Sequence, residues 1–150
     1  MNLELQITAD IKSAMLAKEK EKLESLRAIK AAILLAKTAS AGKDELSDDD
    51  LIKIIQKLVK QRKESAIIYN EQNRAELAEK ELQEASYMDV YLPQQLSQEE
   101  LEAELKAIIA EVGASEPSHM GKVMGTATKR LAGKADGRAI SEAVKQLLAQ

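Results

Sequence analysis

Apolar residues recur at intervals of three and four along the chain, the period of amphipathic helices. A first helix is expected from about Leu3 to Ala17, with Leu3, Ile7, Ile11 and Met15 turned inward. A second begins near Lys20, carries Leu23, Leu26, Ile33 and Leu34 on one face, and should end at a glycine cap near Gly42. Ser47 opens a third, whose first turn holds Asp48, Asp49 and Asp50 against the positive end of the helix dipole. Its apolar face is Leu51, Ile55, Leu58, Ala66 and Tyr69. A fourth helix starts after Asn73 and runs to about Tyr91, where Leu92-Pro93 stops it.

Beyond that break the pattern continues in shorter pieces. Ser97 and Glu100 form a capping box that launches a fifth helix to about Val112, closed by Gly113. A sixth spans about Met120 to Leu131 before Gly133, and a seventh, capped by Asp136 or Ser141, reaches Leu148. The expected fold is all-α. Residues 1–92 form an N-terminal bundle of about four long helices, and residues 93–150 a small three-helix C-terminal domain.

Composition narrows the function classes. Among 150 residues there is no Phe, no Trp, no Cys and only three Tyr. An aromatic fraction of 2% argues against sheet-rich folds and against nucleic-acid modules that stack bases on exposed rings. Without Cys there are no disulfides, thiolate zinc sites, iron–sulfur clusters or Cys nucleophile. One His, His119, leaves no His-rich metal site, and a loop position before the sixth helix is its expected place. No metal or cofactor is expected. Neither a signal peptide nor an apolar run of about 18 residues is visible, so a soluble cytoplasmic protein without membrane contact is the expectation.

The net charge of −3 argues against nucleic acid only as an average. Residues 93–116 hold one basic and six acidic residues, whereas residues 117–150 hold six basic and two acidic. In the sixth helix, Met120, Val123, Met124, Ala127 and Leu131 share one face, and Lys122, Lys129 and Arg130 lie roughly opposite. Between them runs a strip of small residues, Gly121, Gly125, Thr128 and Ala132. Two helical glycines cost about 1 kcal/mol each relative to Ala, so they need a reason. Close packing of another helix would be one; an RNA backbone lying on the strip beside its basic edge would be another. The following turn, Gly133 to Arg138, sets glycines and backbone N–H groups beside Lys134 and Arg138, as in phosphate-binding helix starts. The candidate RNA-binding set is therefore Lys122, Lys129, Arg130, Lys134 and Arg138 with Gly121, Gly125 and Gly133.

In the N-terminal half, Lys53, Lys57 and Lys60 make a solvent-side stripe, and Arg62 falls in the middle of the apolar face. On the fourth helix Glu81 and Glu84 fall beside Leu77 and Met88. A charge on an inward face needs a partner, so Arg62 is expected in a buried ion pair with Glu81 or Glu84, with Arg27 nearby. No catalytic residue is identified.

Several segments together resemble the YqeY family over essentially the whole chain: Leu23 to Arg27, Lys57 to Lys63, Asn73-Arg74, Tyr91-Leu92-Pro93, Met120 to Gly125, and Gly133 to Gly137 with Val144 and Leu148. Residues 97–150 are also similar to the tail domain of the B subunit of glutamine-dependent tRNA amidotransferases, through Gly121, Val123-Met124, Gly133, Lys134 and Ala135. The sequence departs from that tail at Gly125, where a basic residue is usual, and at Asp136-Gly137, where Asn-Pro is usual. The resemblance implies a helical module that touches tRNA away from the chemistry. It also implies an inherited label of carbon–nitrogen ligase with glutamine as amide donor. The chain has no Gly-rich phosphate loop and no Ser-rich amidase stretch to perform that reaction.

Three readings follow. The first is a helical protein associated with tRNA or aminoacyl-tRNA, its N-terminal part offering a second surface to a partner such as an amidotransferase or a synthetase. The second is an accessory to, or participant in, amidotransfer on mischarged tRNA. The third is a protein-only adaptor using the lysine stripe.

Overall fold

The computed structural model describes residues 2–39 and 46–150 and contains, among them, helices and turns but no strand. Seven α-helices follow one another among the described residues: α1 (Leu3–Leu16), α2 (Lys20–Ala39), α3 (Asp48–Glu71), α4 (Ala75–Asp89), α5 (Gln98–Val112), α6 (Met120–Arg130) and α7 (Gly137–Leu148). A single 3-10 turn, Pro117–His119, precedes α6. The chain divides into two compact units, Met1–Leu92 and Pro93–Gln150. The glycine cap expected near Gly42 lies outside the described residues.

Local chemistry sets most helix ends. Asn2 caps α1 by accepting from the Glu4 and Leu5 N–H groups. Ser47 and Asp50 form a full capping box at α3, and Ser97 and Glu100 another at α5. Gly113 ends α5 at φ +70°, a conformation that an L side chain resists. Between α3 and α4 the reversal needs one left-handed residue, and Asn73 supplies it at φ +60°. The Arg74 N–H then reaches back to the Tyr69 carbonyl at 2.8 Å.

The first unit packs α1 to α4 around an aliphatic core of Ile7, Leu26, Ile29, Ile33, Leu51, Ile55, Val59 and Met88. Alanines at Ala14 and Ala85 let backbones approach. Two expected inward residues face solvent instead. Met15 and Leu34 are each 52% exposed. At 100° per residue Met15 lies about 80° from Ile7, and Leu34 about 140° from Ile29, too far round to join their stripes. Ala14 and Ile29 occupy the inward positions.

Polar contacts pin α1 to the rest of this unit. Glu4 accepts from Lys37 at 2.6 Å with Lys30 at 3.5 Å. The Lys37 hydrogen bond is the largest reason the Glu4 carboxyl titrates below its ordinary range. Folded-state stabilisation from it is present at neutral pH and is lost as pH falls through that lowered value. At the end of the unit, the Tyr91 hydroxyl donates to Asp10 at 2.5 Å.

The second unit packs α5, α6 and α7 around Leu101, Leu105, Ile108, Val123, Ala127, Ile140, Val144 and Leu148. Its leading segment is tied to the α6–α7 turn. Gln95 donates to the Gly133 carbonyl at 2.6 Å, and the Leu96 N–H to the Lys134 carbonyl at 2.9 Å.

Burial, then the hydrogen bond to Asp10 and its charge, push the Tyr91 phenol above its ordinary value of 10.0. The folded state therefore holds the proton more tightly, and this stabilisation is complete below about pH 10 and lost as pH rises further. Tyr91→Phe should cost about 1.5 kcal/mol at neutral pH, the low end for a hydrogen bond to a charged group. Urea unfolding at neutral and alkaline pH checks both, since the variant should lose this alkaline dependence.

Candidate nucleic-acid interface

Helix α6 presents three different surfaces. Val123 and Ala127 are buried in the core of the second unit, with Met120 and Met124 packed at its margin. Gly121, Gly125, Thr128 and Ala132 are exposed. A Cβ added at Gly121 or Gly125 would meet nothing within 4 Å. Close packing of a helix of this unit against the glycines, one of the two expected reasons for them, is thus absent among the described residues.

Lys122 and Lys129 stand two turns apart along the edge of this strip, about 10 Å along the axis. Both are exposed, as is Lys134 in the turn that follows, and no ion pair engages any of the three among the described residues. The two arginines differ. Arg130 Nη1 lies 2.6 Å from Glu111 Oε2 on α5, and Arg138 Nε lies 3.3 Å from Glu142 on its own helix. The hydrogen bond from Arg130 holds the Glu111 carboxyl below its ordinary range and raises the guanidinium in turn. Each therefore has a glutamate beside it, although both pairs are open to solvent. Glu111 lies 19 residues before Arg130 in the sequence, and nothing in the helical pattern links them.

Gly133 departs from its expected role. It is buried, at φ +78°, and its carbonyl accepts from Gln95. The Lys134 N–H donates to the Leu131 carbonyl at 2.9 Å, so this part of the turn is consumed in holding the fold. Gly133 lies two residues beyond Leu131, the C-cap of α6, and supplies the left-handed backbone of the turn toward α7. Only Gly137 and the start of α7 remain exposed in the manner expected of a phosphate-binding turn.

His119, expected as a loop residue, brackets the turn before α6. Its Nδ1 accepts the Ser115 N–H at 3.0 Å, and its Nε2 lies 3.5 Å from Glu116. No group of three or more His, Asp or Glu side chains suited to a metal ion is found among the described residues.

In the first unit, Arg62 Nε lies 3.6 Å from Glu84 Oε2, and Glu81 lines the same groove. The pair is half-buried rather than buried, with the two side chains 21% and 22% exposed. Arg27 is exposed, and no contact joins it to the pair among the described residues.

The sequence profile described as Yqey-like protein matches residues 4–148. The chain belongs to the YqeY family. It is also 34% identical over 112 residues to "Altered inheritance of mitochondria protein 41, mitochondrial" of Kluyveromyces lactis, and 32% over 111 residues to the protein of that name from Lachancea thermotolerans. Each match covers 73% of this chain and spans about 60% of the relative's length (60% and 59%). Like the family assignment, the all-helical architecture agrees with the expectation from sequence. No helix among the described residues is long and apolar enough to cross a membrane.

Because Gly125 sits mid-helix with open space around it, Gly125→Ala should stabilise the fold by about 0.5–1 kcal/mol. Denaturant midpoints of wild type and variant measure this directly.

Proposed function

We propose that this YqeY-family protein binds tRNA or aminoacyl-tRNA in the cytoplasm through the exposed face of α6 and the turn after it. The observation that carries the reading is the smooth strip Gly121–Gly125–Thr128–Ala132, edged by Lys122 and Lys129 and followed by Lys134. Lysines without ion pairs attract phosphates without having to break an internal contact. Glycines without neighbours let a backbone approach α6 closely. The similarity of residues 97–150 to the tail of the amidotransferase B subunit supports the same assignment. Arg130 and Arg138 are reserve charges, each held by a glutamate.

Binding of this kind positions a partner and reads no sequence, because phosphate contacts carry no base information. The first unit would then face a protein partner, with an amidotransferase or a synthetase as the class the resemblance suggests. Within this reading the chain supplies recognition and the partner supplies chemistry.

Three phosphate contacts predict a definite salt response. Affinity for bulk tRNA should fall about 20- to 40-fold between about 50 mM and 200 mM salt. Changing Lys122, Lys129 and Lys134 together to Glu should weaken binding more than tenfold and flatten that dependence. Glu111→Gln should free Arg130 and steepen it by about one unit of slope. Fluorescence anisotropy with labelled tRNA measures all three proteins. Unchanged binding by the triple variant overturns the assignment, and partner capture that survives nuclease treatment would then favour the protein-only adaptor.

A further inference from the structure

The outer face of α3 carries a row of charge that the α6 surface does not use. Between Leu51 and Lys63 the sequence holds five basic residues and no acidic one, in a chain of net charge −3. Arg62 is turned toward Glu84, and the four lysines stay outside. At 100° per residue Lys53, Lys57, Lys60, Lys63 and Ile67 fall within an arc of about 120°, opposite the buried Leu51. The row is about 21 Å long. Ile67, which ends it, is 59% exposed.

Two observations set this row apart from an ordinary solvated face. Lys22 and Arg138 each take a glutamate three or four residues away on their own helix. No ion pair engages Lys53, Lys57 or Lys63 among the described residues. Lys53 and Lys57, four apart, and Lys60 and Lys63, three apart, are instead neighbours of like charge. Such pairs destabilise a helix, and a ligand of opposite charge relieves them. The second observation is the place of Ile67. A single exposed apolar side chain is ordinary by itself, but this one continues the lysine row at helical spacing.

The two together decide the class of ligand. A phosphate backbone would use the lysines and leave Ile67 idle. An apolar partner face would use Ile67 and bury unpaired lysines. A segment with a row of carboxylates and one apolar side chain uses both. A helix repeats at the same 5.4 Å pitch as α3, so its carboxylates fall in step with the lysines. We propose that the outer face of α3 docks an acidic amphipathic helix of a partner protein, carboxylates along Lys53 to Lys63 and an apolar side chain on Ile67. The proposal rests on the reading that the first unit faces a protein partner, and it gives that partner's contact segment a chemistry. A single helix face is a small interface, so the encounter is weak and steered by charge. The row lies wholly within the first unit.

The probe is a synthetic helical peptide of about 14 residues with Glu along one face and one Leu at the end of that row. Titrated into the full chain at about 50 mM salt, it should give saturable backbone amide ¹H–¹⁵N shifts confined to α3, with Kd about 0.1–1 mM. The same peptide with Gln for Glu should give none. Changing Lys53, Lys57 and Lys63 together to Gln should weaken binding at least about tenfold, with a thermal midpoint no lower than wild type because the like-charge contacts are gone. Ile67→Ser should weaken it about three- to tenfold. Absence of saturable shifts overturns the proposal, as does binding undiminished in the lysine variant or in Ile67→Ser. An RNA dodecamer that shifts the same α3 amides at lower concentration than the peptide, equally in wild type and Ile67→Ser, overturns it in favour of nucleic acid. Anisotropy of labelled tRNA with the α6 variant reports separately on RNA binding, so failure of either reading is visible without the other.

Discussion

Burial of aliphatic side chains is the interaction on which the whole protein depends. With no Phe or Trp, each unit builds its core from Ile, Leu, Val, Met and Ala. Each such large side chain contributes about 1.5–3 kcal/mol when fully buried, so no single anchor can carry a helix. Narrow stripes must therefore register against one another along their lengths. The alanines at Ala14, Ala85 and Ala127 follow from the same constraint, because thin stripes meet only where backbones come close.

That economy leaves much of each helix surface uncommitted. On α6 the core takes Val123 and Ala127, and the glycine strip and its lysines are left exposed. On α3 the stripe passes through Arg62, where the hairpin with α4 opens into a charged groove instead of closing over an apolar residue. In both places polar surface is left open where the aliphatic pattern is interrupted.

The candidate sites were legible to different degrees. Lys122, Lys129 and the exposed glycines could be placed on α6 from spacing alone, because a helix of known period converts sequence separation into angle. The inward angle of Arg62 was legible for the same reason, and a charge on such a face requires a counter-charge. Glu111 was not legible as the partner of Arg130, since their meeting depends on how α5 packs beside α6. Nor was the use of Gly133 as an internal acceptor, which depends on Gln95, 38 residues earlier, folding back onto the turn. The misplacement of Met15 and Leu34 has a simpler source. Both are apolar, but a one-residue choice on a helix shifts a side chain by about 100°, enough to carry it off the buried stripe.

The sequence by itself determined the all-helical class, the capped starts of α3 at Ser47 and α5 at Ser97, and the family, because these rest on local periodicity and on short segments in a fixed order. Tertiary structure alone decided which charges are available. Arg130 and Lys129 are adjacent in sequence, yet one is bound to a glutamate and the other has no ion pair among the described residues. The electrostatic character of a surface is set by pairs brought together across helices, and helical period places a residue only on its own helix.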